Sequence, residues 1–166
     1  MALNNSLMRF MDATKYKAKS GKFIPVWTLE VQTQATDVDK ILDAVTKVDP
    51  LSYGRYSRNA SISAQGVETS RPAGGSSTVA HNEDYQIGSD ETYPMVELKI
   101  SISRDYETLA NVMDAIHFAH HYEEPVIFLR EDWASRSNYN PDNENPNRWW
   151  NNARGMPEKV HKIPKE

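Results

Sequence analysis

The sequence has no cysteine. That excludes disulfides, thiolate nucleophiles and thiolate metal ligands together, so any metal site must be built from imidazole and carboxylate. Long apolar runs are also missing: no stretch approaches the roughly 18 residues that a membrane-spanning helix needs. Residues 1–19 mix Leu, Asn, Arg and Lys without a continuous apolar segment, so they do not read as a secretory signal. Positive charge is scarce. Lys and Arg number 19 against 23 Asp and Glu, the net charge is −4, and the isoelectric point is about 5.7. This balance argues against a nucleic-acid partner and against an anionic membrane surface. The expectation is a soluble, cytoplasmic protein.

The 166 residues suit one domain with extensions, long enough to bury a proper core. Apolar residues make up 39% and thin out toward both ends. Three parts are expected: an N-terminal arm or short helix over 1–22, a domain over 23–131, and a polar C-terminal extension over 132–166. In the arm, Leu3, Leu7, Phe10 and Met11 recur at helical spacing.

Within the domain, residues 24–33 alternate around Val26, Trp27, Leu29 and Val31 and predict a first strand. Thr36 to Val48 predicts a helix, with Val38, Ile41, Leu42, Val45 and Val48 as its apolar stripe and Asp49-Pro50 as its stop. Tyr53 to Ser63 reads as a polar strand, suited to an edge or a subunit contact. Residues 64–90 read as a long loop rich in Gly, Ser and acids, of the kind that is usually functional. Met95 to Ser103 predicts a strand with Val96, Leu98, Ile100 and Ile102 on one face. Tyr106 to Phe118 predicts a helix capped by Asp105. Val126 to Leu129 closes the series as a continuous apolar strand.

The order β-α-β-β-α-β predicts an α+β, ferredoxin-like fold: a four-stranded antiparallel sheet with both helices on one face. Its second face, expected to show Trp27 and aliphatics, would need a cover, often another subunit or a terminal arm in this architecture, so oligomerisation is expected. In the tail, Trp149-Trp150 is expected to pin the arm by burying its rings.

The densest chemistry lies in Ala119-His120-His121-Tyr122-Glu123-Glu124-Pro125. A divalent-metal reading draws on His117, His120, His121 and Glu123, nitrogen and oxygen donors that suit zinc, copper or nickel. An anion-binding reading draws on Arg71, set between Gly66 and Gly74-Gly75-Ser76-Ser77, where glycine-rich backbone and a guanidinium could cradle a small anion. Acid–base catalysis by Tyr122, Glu123 and the histidines is a third reading. The chain has no Gly-x-Ser-x-Gly, His-Glu-x-x-His or Gly-x-x-x-x-Gly-Lys motif to strengthen an enzymatic one.

Two segments together resemble a known module. Gly54-Arg55-Tyr56-Ser57 continuing to Gly66-Val67-Glu68-Thr69-Ser70-Arg71-Pro72, with Ala119 to Pro125, is similar to the CutA-like, PII-like domain inserted in NIF-three-like proteins and to its stand-alone relatives. The family pattern runs Gly-x-Tyr-(Ser/Asp), Gly-x-Gly-x-Phe-Arg-Pro and His-Pro-Tyr-Glu-Glu-Pro. Here Glu68 stands for a glycine, Ser70 for the phenylalanine and His121 for the first proline. The resemblance covers about residues 25–130. It implies a ferredoxin-like fold that self-associates as a homodimer or homotrimer through sheet edges or the open face, and a binding or regulatory role. Its candidate ligand-binding residues are Tyr56, Arg71, Tyr122 and Glu123. The dinuclear-metal lobes of NIF-three-like proteins have no counterpart in these residues, so their hydrolase role is not implied.

Overall fold

A computed structural model describes residues 12–138, 144–151, 155–156 and 158–159. The expected helix around Leu3 to Met11 lies outside them. Among the described residues, five strands and three α-helices follow in order: β1 (Gly21–Thr33), α1 (Val38–Val45), β2 (Ala60–Ile62), β3 (Gly66–Ser70), α2 (Ser77–His81), β4 (Glu91–Ser103), α3 (Tyr106–Ala119) and β5 (Ile127–Ser137). The sheet order is β2-β4-β1-β5, every pairing antiparallel, with β3 also paired to β4.

β2 and β3 act as one interrupted edge strand. Ile62 pairs with Leu98, but Gly66 pairs with Met95, so residues 63–65 oppose only Val96 and Glu97. This extra residue is a β-bulge, and Ser63 fastens it by donating its amide to the Glu97 carbonyl at 3.0 Å. With β2 and β3 counted as one position, the chain has the ferredoxin-like βαββαβ plan.

The core lies between the sheet and the helices α1 and α3. Period-two alternation puts Leu29 and Val31 of β1 and Leu98 and Ile100 of β4 on the covered face, against Ile41 and Val45 of α1 and Val112 and Ile116 of α3. Each is fully or almost fully buried, and each such aliphatic contributes about 1.5–3 kcal/mol by leaving water. Asp105 caps α3 as expected: its Oδ2 accepts the Thr108 amide at 2.8 Å. Thr36 makes no such cap, because the chain enters α1 through a 3-10 turn over Ala35–Asp37.

Several expectations are corrected. Trp27 does not lie on the open face. It is 6% exposed in the core, and its ring meets Tyr106 of α3 edge-on at 5.0 Å. The open face instead carries Glu30, whose Oε1 pairs with Lys99 Nζ at 2.7 Å and with Arg130 Nη2. Around Glu30 this face is charged, with Phe128 exposed beside it, while Val26 and Thr28 of the same face are buried.

The strand expected at Tyr53 to Ser63 shrinks to three residues. Tyr53 and Tyr56 form a tight turn through Gly54, whose φ of +65 favours glycine, and Arg58 also has a positive φ. The expected loop 64–90 contains β3 and α2. β5 continues past residue 131 to Ser137 by pairing with residues 21–26, so both expected domain boundaries fall inside strands. Trp149 and Trp150 stay 44% and 42% exposed, stacked edge-on against each other at 5.6 Å.

Candidate functional site

β4 outruns β1. Its residues Glu91–Met95 extend beyond the β1 ladder and pair only with β3, forming a two-stranded ribbon. The chain between them, with α2, folds back beside the turn that joins α3 to β5. A cleft of about 680 Å³ opens between these parts. Ribbon residues Glu68, Arg71 and Tyr93 form one wall, Ser77, His81 and Tyr85 line the α2 side, and His121 to Glu124 close the cleft from the turn. Parts of both segments that carry the family resemblance, residues 68–72 and 121–124, therefore meet here.

Two hydrogen bonds hold the walls together. The Tyr122 phenol donates to Glu68 Oε1 in a short contact. The Ser77 amide donates to Glu123 Oε2 at 2.8 Å, tying the turn to the start of α2. Burial first, and then the Glu68 carboxylate, push the Tyr122 phenol well above its ordinary range. Tyr93 is pushed up by burial, then by the Tyr85 hydroxyl and the charges of Glu91 and Glu68. Both phenols are therefore protonated at neutral pH. The Ser77 amide and hydroxyl hold the Glu123 carboxyl below its usual value.

His120 is 7% exposed and has both ring nitrogens engaged. Its Nδ1 accepts the Tyr122 amide at 3.1 Å, which places the proton on Nε2, and Nε2 donates to the Gln32 carbonyl at 2.9 Å. Burial lowers its pKa below the ordinary 6.5. A neutral histidine so committed shapes the turn and has no lone pair left for a metal. His121 donates through Nδ1 to Asp37 Oδ2, and its ring lies 4.6 Å from that of Tyr122.

The expected site residues divide. Arg71, Tyr122, Glu123 and His121 line the cleft, whereas Tyr56 is 72% exposed and outside it. His117 is exposed on α3 and is not a cleft residue. The set His117, His120, His121 and Glu123 is therefore not gathered into one shell, and among the described residues no group of three or more His, Asp or Glu could hold a metal ion. Arg71 does not offer a bare guanidinium: its Nη2 and Nε lie 2.6 and 2.7 Å from Asp90 Oδ1. Glu68 and Asp37 are site residues that sequence reasoning misses. Glu68 stands out only as a departure from the family pattern, and Asp37 only as a charge at a helix start.

No protein-family model matches the chain, and no curated protein matches it in sequence. Solved structures do match. The Bacillus cereus protein related to NIF3 superposes with a TM-score of 0.54 at 18% identity, over 72% of this chain and 29% of that one. CutA of Archaeoglobus fulgidus, a periplasmic divalent cation tolerance protein, matches at 0.44 and 12% identity, over 63% and 81%. GlnK of B. subtilis matches at 0.40 and 16% identity, over 66% and 86%. This chain thus spans under a third of the Bacillus cereus protein, and the likeness at such identity is one of fold. In fold, the chain is similar to part of the Bacillus cereus protein related to NIF3, and that fold is ferredoxin-like.

Proposed function

We propose that this chain is a cytoplasmic, homo-oligomeric binding or regulatory module of the CutA-like, PII-like kind, which holds a small ligand in the cleft beside Tyr122. One observation carries the reading. Segments far apart in sequence, around Arg71 and around Tyr122, converge on a single concavity of about 680 Å³, within the range of small-molecule sites. The cleft has polar groups fixed by hydrogen bonds and a floor of protonated tyrosines. Such a wall can recognise a ligand without reorganising.

Self-association is supported by the sheet edges. Among the described residues β5 lies at the end of the sheet, and its Phe128 and Leu129 are exposed, an arrangement that invites pairing with another chain. Light scattering should give a mass that is a multiple of 18.9 kDa. A monomer at every concentration contradicts the oligomer. Thermal-shift titration with small metabolites tests the cleft itself: the expected result is a ligand whose stabilisation disappears in Tyr122→Ala.

A second reading, acid–base chemistry on a bound small molecule, has one observation in its favour. His121, Tyr122 and Glu123 share the same concavity, and His121 is oriented by Asp37. Turnover of a bound ligand that is lost in His121→Asn but retained in His117→Asn supports it. Ligand recovered unchanged from both proteins refutes it.

A further inference from the structure

We infer that the cleft takes a small organic cation, a molecule bearing an ammonium group. This rests on reading the cleft as a ligand site and adds the chemical class of its ligand.

The charge of the walls carries the argument. Glu68, Glu123 and Glu124 bring three carboxylates to the cleft. Among the described residues lining it, Arg71 is the single Lys or Arg, and Asp90 already neutralises it at 2.6 Å. A phosphate or carboxylate ligand would therefore meet repulsion with no free guanidinium in return. Two of the carboxylates are held by hydrogen bonds, with His81 of the same lining beside Glu123. Glu68 is bonded at Oε1 by a phenol, and Glu123 by the Ser77 amide at Oε2 and by the Ser77 hydroxyl, all uncharged donors. Such donors fix the carboxyl groups in place without bringing a cation to them, and a charge-assisted hydrogen bond from an N–H donor of a ligand would supply one.

Aromatic rings complete the class. Tyr85, Tyr93 and Tyr122 all line the same walls. Ring faces attract ammonium groups through the π quadrupole, and carboxylates beside aromatic rings are the usual surroundings of organic cations. Burial and the nearby Glu68 keep the Tyr93 and Tyr122 phenols protonated, so these rings present hydroxyls and not further anions. A bare metal ion fits less well: the space far exceeds one ion, and no three ligating side chains among the described residues converge on a point.

The test is calorimetric titration at low salt with two panels of equal size. Agmatine, spermidine and choline form the cationic panel; ADP, citrate and phosphate form the anionic one. The protein is used intact and as the double variant Glu68→Gln with Glu123→Gln. Each glutamine retains an acceptor oxygen for Tyr122 or Ser77, so the walls stay tied while the charge is removed. The expected result is saturable binding of an amine, weakened about tenfold for each carboxylate removed. Amine binding that the double variant leaves unchanged overturns the inference, since the cation then sits elsewhere. Binding of an anion alone also overturns it while leaving the cleft as a ligand site. Silence from both panels removes the inference and the support for the site together.

Discussion

Tyr122 and Glu68 stand 54 positions apart and share a short hydrogen bond across the cleft. The bond joins the turn after α3 to the ribbon of β3 and β4. Neither residue lies on the covered face of the sheet, so hydrophobic burial alone does not set their distance. Replacing Tyr122 by Phe removes the donor and leaves the half-buried Glu68 carboxylate unpaired. The expected cost is about 1–2 kcal/mol. It is read as a lower urea midpoint at unchanged slope.

His120 makes the stability of the turn depend on pH. Its folded pKa lies below the unfolded value of 6.5 because burial disfavours the cation. The unfolded chain therefore takes up the proton first on acidification. The stability contributed by neutral His120 is present above pH 6.5 and is lost as pH falls from there through the lower folded value. Protonation of Nδ1 also ends its acceptance of the Tyr122 amide. In His120→Gln this dependence is absent, so the stability gap between wild type and variant should narrow as the pH drops below 6.5. A gap that stays constant from pH 8 down to about pH 5 contradicts the assignment of a neutral histidine.

Glu123 holds α2 in place through the Ser77 amide. Substituting Ala removes that acceptor, and because the carboxylate is exposed the effect should remain local. Amide hydrogen exchange should accelerate at Ser77 while exchange at core positions such as Leu98 is unchanged. The wild-type contact has its own pH limit. The Glu123 carboxyl is held below its usual 4.5, so the tether is complete above that pH and is lost as pH falls through the lower folded value. Exchange at Ser77 should follow the same course.

Two substitutions calibrate the core. Leu98 of β4 is fully buried in the core, and Leu98→Ala should cost about 2–5 kcal/mol in denaturant unfolding. Phe118 is 94% exposed on α3. Phe118→Ser should move stability by no more than about 0.5 kcal/mol.

The frame was legible because its residues report burial directly. The stripe Ile41, Leu42 and Val45 and the alternation Leu98, Ile100 and Ile102 show one wet and one dry side, which is the signal that fixes helix or strand. β3 gave no such signal. Val67 and Ser70 are exposed, and with one partner strand and no covering helix the ribbon has no dry side to mark. Trp27 shows a different limit. Alternation tells which residues share a face, but the helix-covered face is set by where α1 and α3 pack. At the site, Tyr122 and Glu123 were legible as dense chemistry, while Glu68 and Asp37 were not. Their roles arise from tertiary pairing with residues far along the chain, and nothing local to Glu68 or Asp37 encodes a partner.

The most direct measurement is an amide-resonance titration of isotope-labelled protein with the amine that binds most tightly. Shifts should concentrate at Glu68 to Arg71, Ser77, Tyr93 and His121 to Glu124, with Glu30 and Lys99 on the open face unmoved. Shifts confined to the open face, or to the exposed edge of β5, would place the ligand away from Tyr122 and contradict the cleft as the seat of function.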